Sequence, residues 1–169
     1  MAKKKKKKPS KKTMTARLDK ACKEYIKERD SQLCQCCGIH KDSTPQGFLD
    51  WSHKISRNNY ILRWMEFNSL AICRKCHDDW GRGISMPHNN AIVRLWGEGT
   101  AERIEVIAKK YPQSKGTYLD CVDFRLELEA HYKQKLELLQ QGVSVDEIKT
   151  AVWKDFGLDK ENVFDDDEI

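Results

Sequence analysis

Apolar and polar positions along this chain follow two different periods, and the change of period marks its parts. Leu18, Cys22, Tyr25, Ile26 and Arg29 recur at steps of three and four, which predicts an amphipathic helix from about Thr15 to Asp30 with a basic outer face. Phe48 to His53 and Ser69 to Ile72 are too short for helices and read as strands. Asn and charged residues separate them, and bulky Tyr60, Ile61, Leu62, Trp64 and Phe67 tuck the connecting loop down. Cys73 to about Trp80 then opens a short helix, so the implied order is strand, loop, strand, helix. Gly81 to Asn90 is rich in turn formers. Ala91–Trp96 and Ala101–Lys110 are helical pieces around Gly97-Glu98-Gly99, with Thr100 as a cap and Glu102 in the first turn. A long helix is predicted over Tyr118–Gln141, with Thr117 and Asp120 as its starting signal and Gly142 as its stop. Its apolar stripe is Cys121, Phe124, Leu128, Tyr132, Leu136 and Leu139, and Leu119, Val122 and Leu126 widen it. One stripe packs on the body, and the surplus suits a second copy, so a homodimer through this helix is an expectation. Ser144 and Glu147 form a capping box for a last helix with Ile148, Val152 and Phe156 inward and Gly157 at its end.

The elements imply an α+β fold with a helical C-terminal half. Four parts follow: a disordered basic arm over 1–14, a small core unit over 15–90, a helical region over 91–157 and an acidic tail over 158–169. Charge sharpens this division. Residues 1–29 hold thirteen Lys/Arg against three acids, and residues 155–169 hold seven acids against Lys160, whereas the whole chain of 169 residues carries a net charge of only +5. A basic arm, a near-neutral body and an acidic tail suggest an acidic polymer as partner. No apolar run approaches the roughly 18 residues of a membrane span, and the lysine run has no apolar segment behind it to make a secretory signal. A cytoplasmic location is expected.

Seven cysteines are present, and four form two pairs of identical spacing, Cys34/Cys37 and Cys73/Cys76. In a reducing compartment this spacing reads as metal ligation rather than a disulfide framework. A two-residue gap lets both thiolates of a pair face one ion, and Gly38 permits the close backbone approach behind the first pair. Four thiolates suit tetrahedral, structural Zn²⁺, a closed site with no open position for chemistry. Cys36 is a competing register for the first knuckle. Cys22 and Cys121 sit on helical faces and read as core.

Between the knuckles the order is His53 at the end of the first strand, Asn68 just before the second, and His77 directly after Cys76. This pattern resembles the HNH (ββα-metal) endonucleases. The segments Tyr25-Ile-Lys-Glu-Arg-Asp30, Cys34-Gln-Cys-Cys-Gly38, Asp50-Trp-Ser-His53, Arg63 to Asn68 and Cys73-Arg-Lys-Cys76 look like the phage NinG/Rap recombination endonucleases, in order and with similar gaps. The segment Gly97 to Ala108 and the long Lys/Glu-rich helix also look similar, so the likeness covers roughly residues 20–140. It implies that the unit over 15–90 is a zinc-stapled nuclease domain. It implies that His53 is the general base for water, that Asn68 orients His53 or holds the loop, and that His77 binds a catalytic Mg²⁺ or Mn²⁺. Family members usually carry Asp or His just before the base, where this chain has Ser52. Asp50 and Asp79 are the further candidate ligands. His40, His88 and His131 stay outside this reading.

Lys3, Lys4, Lys5, Lys6, Lys7 and Lys8 can neutralise phosphates without reading sequence, and Arg57 and Arg74 are DNA contacts nearer the site. Lys54, Arg63, Lys75 and Arg82 add charge around it. Trp51, Tyr60, Trp64 and Trp80 read as core with a stacking alternative on unpaired bases. Nothing resembles a base-reading code, so selectivity should be for DNA shape. The resemblance implies a phage enzyme, acting in the bacterial host, that hydrolyses phosphodiester bonds in branched intermediates such as D-loops and Holliday junctions. The alternatives are a non-catalytic zinc module that binds branched DNA or a recombination partner, and an HNH nuclease for nicking or DNA packaging.

Overall fold

Ser10 accepts a hydrogen bond from the Thr13 amide at 3.2 Å, and this cap starts the first helix, α1 (Lys11–Arg29). The helix therefore begins four residues before its predicted start, inside the segment read as a disordered arm. Met14 and Leu18 explain the extension, because both are fully buried and give the first turns something to pack. The computed structural model describes residues 9–112 and 122–148. The lysines Lys3–Lys8, Cys121, the start of the long helix, most of the last helix and the acidic tail lie outside these residues.

Strands β1 (Asp50–His53) and β2 (Ser69–Ile72) pair antiparallel, with Trp51 opposite Ala71 and His53 opposite Ser69. Every residue of β2 is buried, which is why Leu70, Ala71 and Ile72 are apolar without alternation. Helix α2 (Arg74–Gly81) follows directly, capped by Cys73. Helix α3 (Met86–Trp96) starts five residues earlier than its periodicity suggests and runs across residue 90, which the sequence reading takes as a boundary. Pro87 lies in its first turn, where a missing N–H costs nothing. Helix α4 (Thr100–Lys110) begins after Gly99, whose φ of 76° takes the left-handed turn that glycine tolerates. Thr100 does not cap it: its hydroxyl donates back to the Trp96 carbonyl at 3.2 Å.

Helix α5 (Val122–Gln140) lies along α1. Leu128 and Tyr132 of the predicted stripe are buried, with Phe124 and Leu139 packed against the same cluster, and three charged residues, Arg125, Glu129 and Lys135, are buried beside them. Those charges are accommodated because α1 and the 54–68 loop supply partners: Thr15 for Arg125, Arg17 for Glu129 and Glu66 for Lys135. Gly142, at φ 86°, ends the helix. Ser144 and Glu147 then exchange capping bonds at 3.0 and 3.3 Å.

Two apolar clusters flank the strand pair. One joins Cys34, Leu49, Leu62, Phe67, Leu70 and Ile72 to Ile92 of α3 and Ile104 of α4. The other joins Leu18, Tyr25 and Ile26 of α1 to Trp51, Trp64, Leu128 and Tyr132. No helix among the described residues is long and apolar enough to cross a membrane.

Candidate functional site

The end of α1 aims the first cysteine pair. Arg29 is fully buried and grips Asp30 through Nε and Nη2 at 2.8 and 3.0 Å, while its remaining N–H groups donate to the Glu66 and Ser69 carbonyls. Asp30 in turn accepts the Ala71 amide at 2.7 Å. The chain then turns through Ser31 and Gln32, both left-handed, into the knuckle. The Gly38 amide closes it onto the Cys34 carbonyl at 2.7 Å, and the Gln35 amide donates to Ala71 of β2 at 2.9 Å.

The Sγ atoms of Cys34, Cys37, Cys73 and Cys76 all lie within 4.8 Å of one another, and the Cys37 and Cys73 sulfurs are 3.8 Å apart. A tetrahedron with metal–sulfur bonds of about 2.3 Å has edges of about 3.8 Å, so the donor set fits a structural metal such as zinc. Among the described residues no other group of three or more His, Cys, Asp or Glu donors is close enough to share an ion. Cys36 is not in the group. The nearby Cys36 thiol, with backbone N–H groups, brings Cys34 down to about 4 despite its burial. Burial pushes Cys37 and Cys76 the other way. Binding a metal there therefore means displacing protons, most readily as pH rises.

Strand alternation separates the remaining candidates. On one face of β1, Asp50 accepts from Arg74 at 3.2 Å and lies 3.2 Å from His77 Nδ1, both from α2. On that same face Ser52 Oγ lies 3.2 Å from Nε2 of His88, which is buried and stacked on Trp80 at 4.5 Å. Burial brings His88 down to about 4. The structure thus pairs Asp50 with His77 and fills the Ser52 position with His88, a residue that the sequence reading set aside. No local signal could have found it, because Ser52 and His88 meet only through packing. Asp79 pairs instead with Lys75 and Arg82, at 2.9 and 3.9 Å.

On the opposite face His53 packs on Trp51, with ring centroids 4.2 Å apart, and its Nε2 lies 3.0 Å from the Arg63 carbonyl. A carbonyl can only accept, so Nε2 carries the proton. Burial brings His53 down to about 4, leaving the ring neutral at pH 7. Nδ1 then holds a lone pair and makes no hydrogen bond among the described residues. Asn68, fully buried, closes the neck of the loop after His53. Its Oδ1 accepts the Ile55 amide at 2.9 Å, and its Nδ2 donates to the Ile55 and Leu62 carbonyls at 3.0 and 2.9 Å. It touches the loop and not His53.

The basic residues divide. Arg57 is exposed and Arg74 is half exposed on Asp50. Lys54 is turned inward: its ammonium, 4% exposed, donates to Asn89 and Glu105 at 2.9 and 2.7 Å. Arg63 is engaged by Asp19 through Nε and Nη2 at 2.9 and 2.6 Å. Trp51 and Trp64 are buried in the core, and Tyr60 packs edge-on against Trp64. No protein-family model, curated protein or solved structure matches the chain.

Proposed function

We propose that this protein is a metal-dependent DNA endonuclease of the HNH type, selective for branched DNA. The observation that supports this best is the hydrogen bonding of His53: its Nε2–H donates to the Arg63 carbonyl, which leaves the Nδ1 lone pair to accept a proton. It ends the first strand of a strand-loop-strand-helix unit braced by four cysteines, in keeping with the resemblance. His53 takes a proton from the attacking water as the new P–O bond forms, and the leaving oxygen is protonated from solvent. Asp50 and His77, one carboxylate and one imidazole, would hold Mg²⁺ or Mn²⁺ together with phosphate oxygens and water, a donor number that suits a hard cation shared with a substrate. When bound, such an ion supplies charge stabilisation at the phosphate. The four-cysteine zinc staples the unit. The lysines Lys3–Lys8, with Arg57, add contacts to phosphates that do not depend on sequence.

The test is cleavage of a labelled four-way junction, a D-loop and a linear duplex of matched sequence, with Mg²⁺ or Mn²⁺, by wild type and His53→Ala. The wild type should cut the branched DNAs in preference to duplex, and the variant should bind them with cleavage reduced by at least about 10²-fold, the usual share of a general base. If neither protein cuts with any common divalent ion while both bind junctions, the protein is instead a zinc-stabilised branched-DNA-binding module. Equal cutting of linear duplex removes the shape selectivity and leaves a nicking or packaging nuclease.

A further inference from the structure

We infer that Asp19, on the first helix, is a positioning residue that holds His53 in its single hydrogen-bonded state by clamping the Arg63–Trp64 peptide. The carbonyl that receives the His53 Nε2–H belongs to that peptide unit. Asp19 grips the side chains on both sides of it. Its Oδ1 accepts Arg63 Nε at 2.9 Å and Trp64 Nε1 at 2.8 Å, and its Oδ2 accepts Arg63 Nη2 at 2.6 Å. One carboxylate thus takes three donors from two consecutive residues, so the intervening carbonyl can neither swing away nor rotate without breaking them.

Further contacts make the clamp stiff. Arg63 Nη1 donates to the Arg57 carbonyl at 3.0 Å, tying the loop back on itself. The guanidinium sits 5.6 Å from the ring centroids of both Tyr60 and Trp64. Tyr132 of α5 donates to the Trp64 carbonyl from the other side. The pair is mostly shielded from water, with side chains 22% and 14% exposed for Asp19 and Arg63, so the charge-assisted bonds are worth more than an exposed ion pair. The residue that defines the histidine's hydrogen bond is therefore 34 positions away in sequence. The catalytic meaning of the clamp rests on the nuclease reading, but the clamp itself does not.

The measurement is nitrogen–proton NMR of the full-length, zinc-loaded protein, following solvent exchange of the His53 Nε2 proton. His53→Gln, which lacks the signal, assigns it. The wild type should show a protected proton on Nε2. Asp19→Asn should accelerate its exchange by about tenfold or more while the rest of the spectrum is retained, the effect expected from losing a shielded charge-assisted pair in a local opening equilibrium. Arg63→Gln breaks the same pair from the other side and serves if Asp19→Asn does not fold. Unchanged exchange in the folded variant, or a wild-type proton on Nδ1, overturns the inference. So does loss of fold in both variants, because the pair would then act on the fold and not on His53. A wild type that cuts no DNA, yet whose His53 proton still depends on Asp19, removes the nuclease reading and leaves the clamp standing.

Discussion

The two sides of the strand pair are held together by different chemistry. Towards α3 and α4 the packing is mainly aliphatic, and its polar groups include four clustered thiols and the inward-turned Lys54, which pairs with Asn89 and Glu105. Towards α1 and α5 the packing is aromatic and threaded with buried charge. There Lys135 pairs with Glu66, Tyr25 donates to Glu66 at 2.7 Å, and Glu129 meets Arg17 and Lys133 at 2.9 and 2.6 Å. A metal held by the thiols would make the first side sensitive to its removal, whereas the second is sensitive to an unbalanced charge. His53 and its loop lie where the two meet, so both kinds of support reach the candidate site.

The largest effect should come from the thiols. Cys37 is exposed, so Cys37→Ser tests metal binding without opening a core cavity. Structural zinc contributes on the order of 10 kcal/mol in small domains. The variant, or a strong chelator, should strip hydrogen-exchange protection from the Ala71 and Ile72 amides. An unchanged thermal melt after chelation would mean that the cysteine cluster is not a metal staple.

A smaller effect is expected across the helix pair. Glu66→Gln removes the carboxylate opposite the buried Lys135 ammonium and should cost about 3–5 kcal/mol in urea unfolding. Combining it with Lys135→Met should recover most of that loss, since apolar replacement of a buried pair is often neutral. A double variant as unstable as the single one would show that the network is needed for more than its own neutralisation.

The smallest effect lies at His88, buried on α3. Its folded pKa of about 4 is below the unfolded value of 6.5, so the unfolded chain takes up a proton first as pH falls. Stability is therefore complete above pH 6.5 and is lost towards pH 4, by roughly 3 kcal/mol for this group. His88→Gln should flatten that part of the pH profile relative to wild type in urea unfolding at pH 7, 5.5 and 4.5. Parallel profiles would mean that His88 is not buried in its neutral form. Release of metal at low pH is common to both proteins and cancels in the difference.

Short-range pattern carried much of this structure. The extent of β2 at Ser69–Ile72, the α2 helix opening at Cys73 and the Ser144–Glu147 capping box are local events, and local sequence describes them correctly. The start of α1 was misread because a lysine run looks like an arm, although Ser10 and Met14 carry the signal for a longer helix. Apolar spacing finds Leu128 and Tyr132 on the buried face of α5 but misses the charges beside them, because it assumes that charges face water, and Glu66 offers Lys135 a partner that no helix pattern contains.

What the sequence by itself determined is therefore whatever depends on spacing: the two cysteine pairs, the strand-loop-strand-helix order and the placing of His53 at a strand end. Only the tertiary structure decided which groups meet. Asp19 with Arg63, His88 with Ser52 and His77 with Asp50 are contacts between residues 44, 36 and 27 positions apart. Each depends on the direction in which a packed element aims a side chain. Periodicity assigns a residue to a face of its own element, but the orientation of that face is fixed by burial against the others, and this is where the state of His53 was settled.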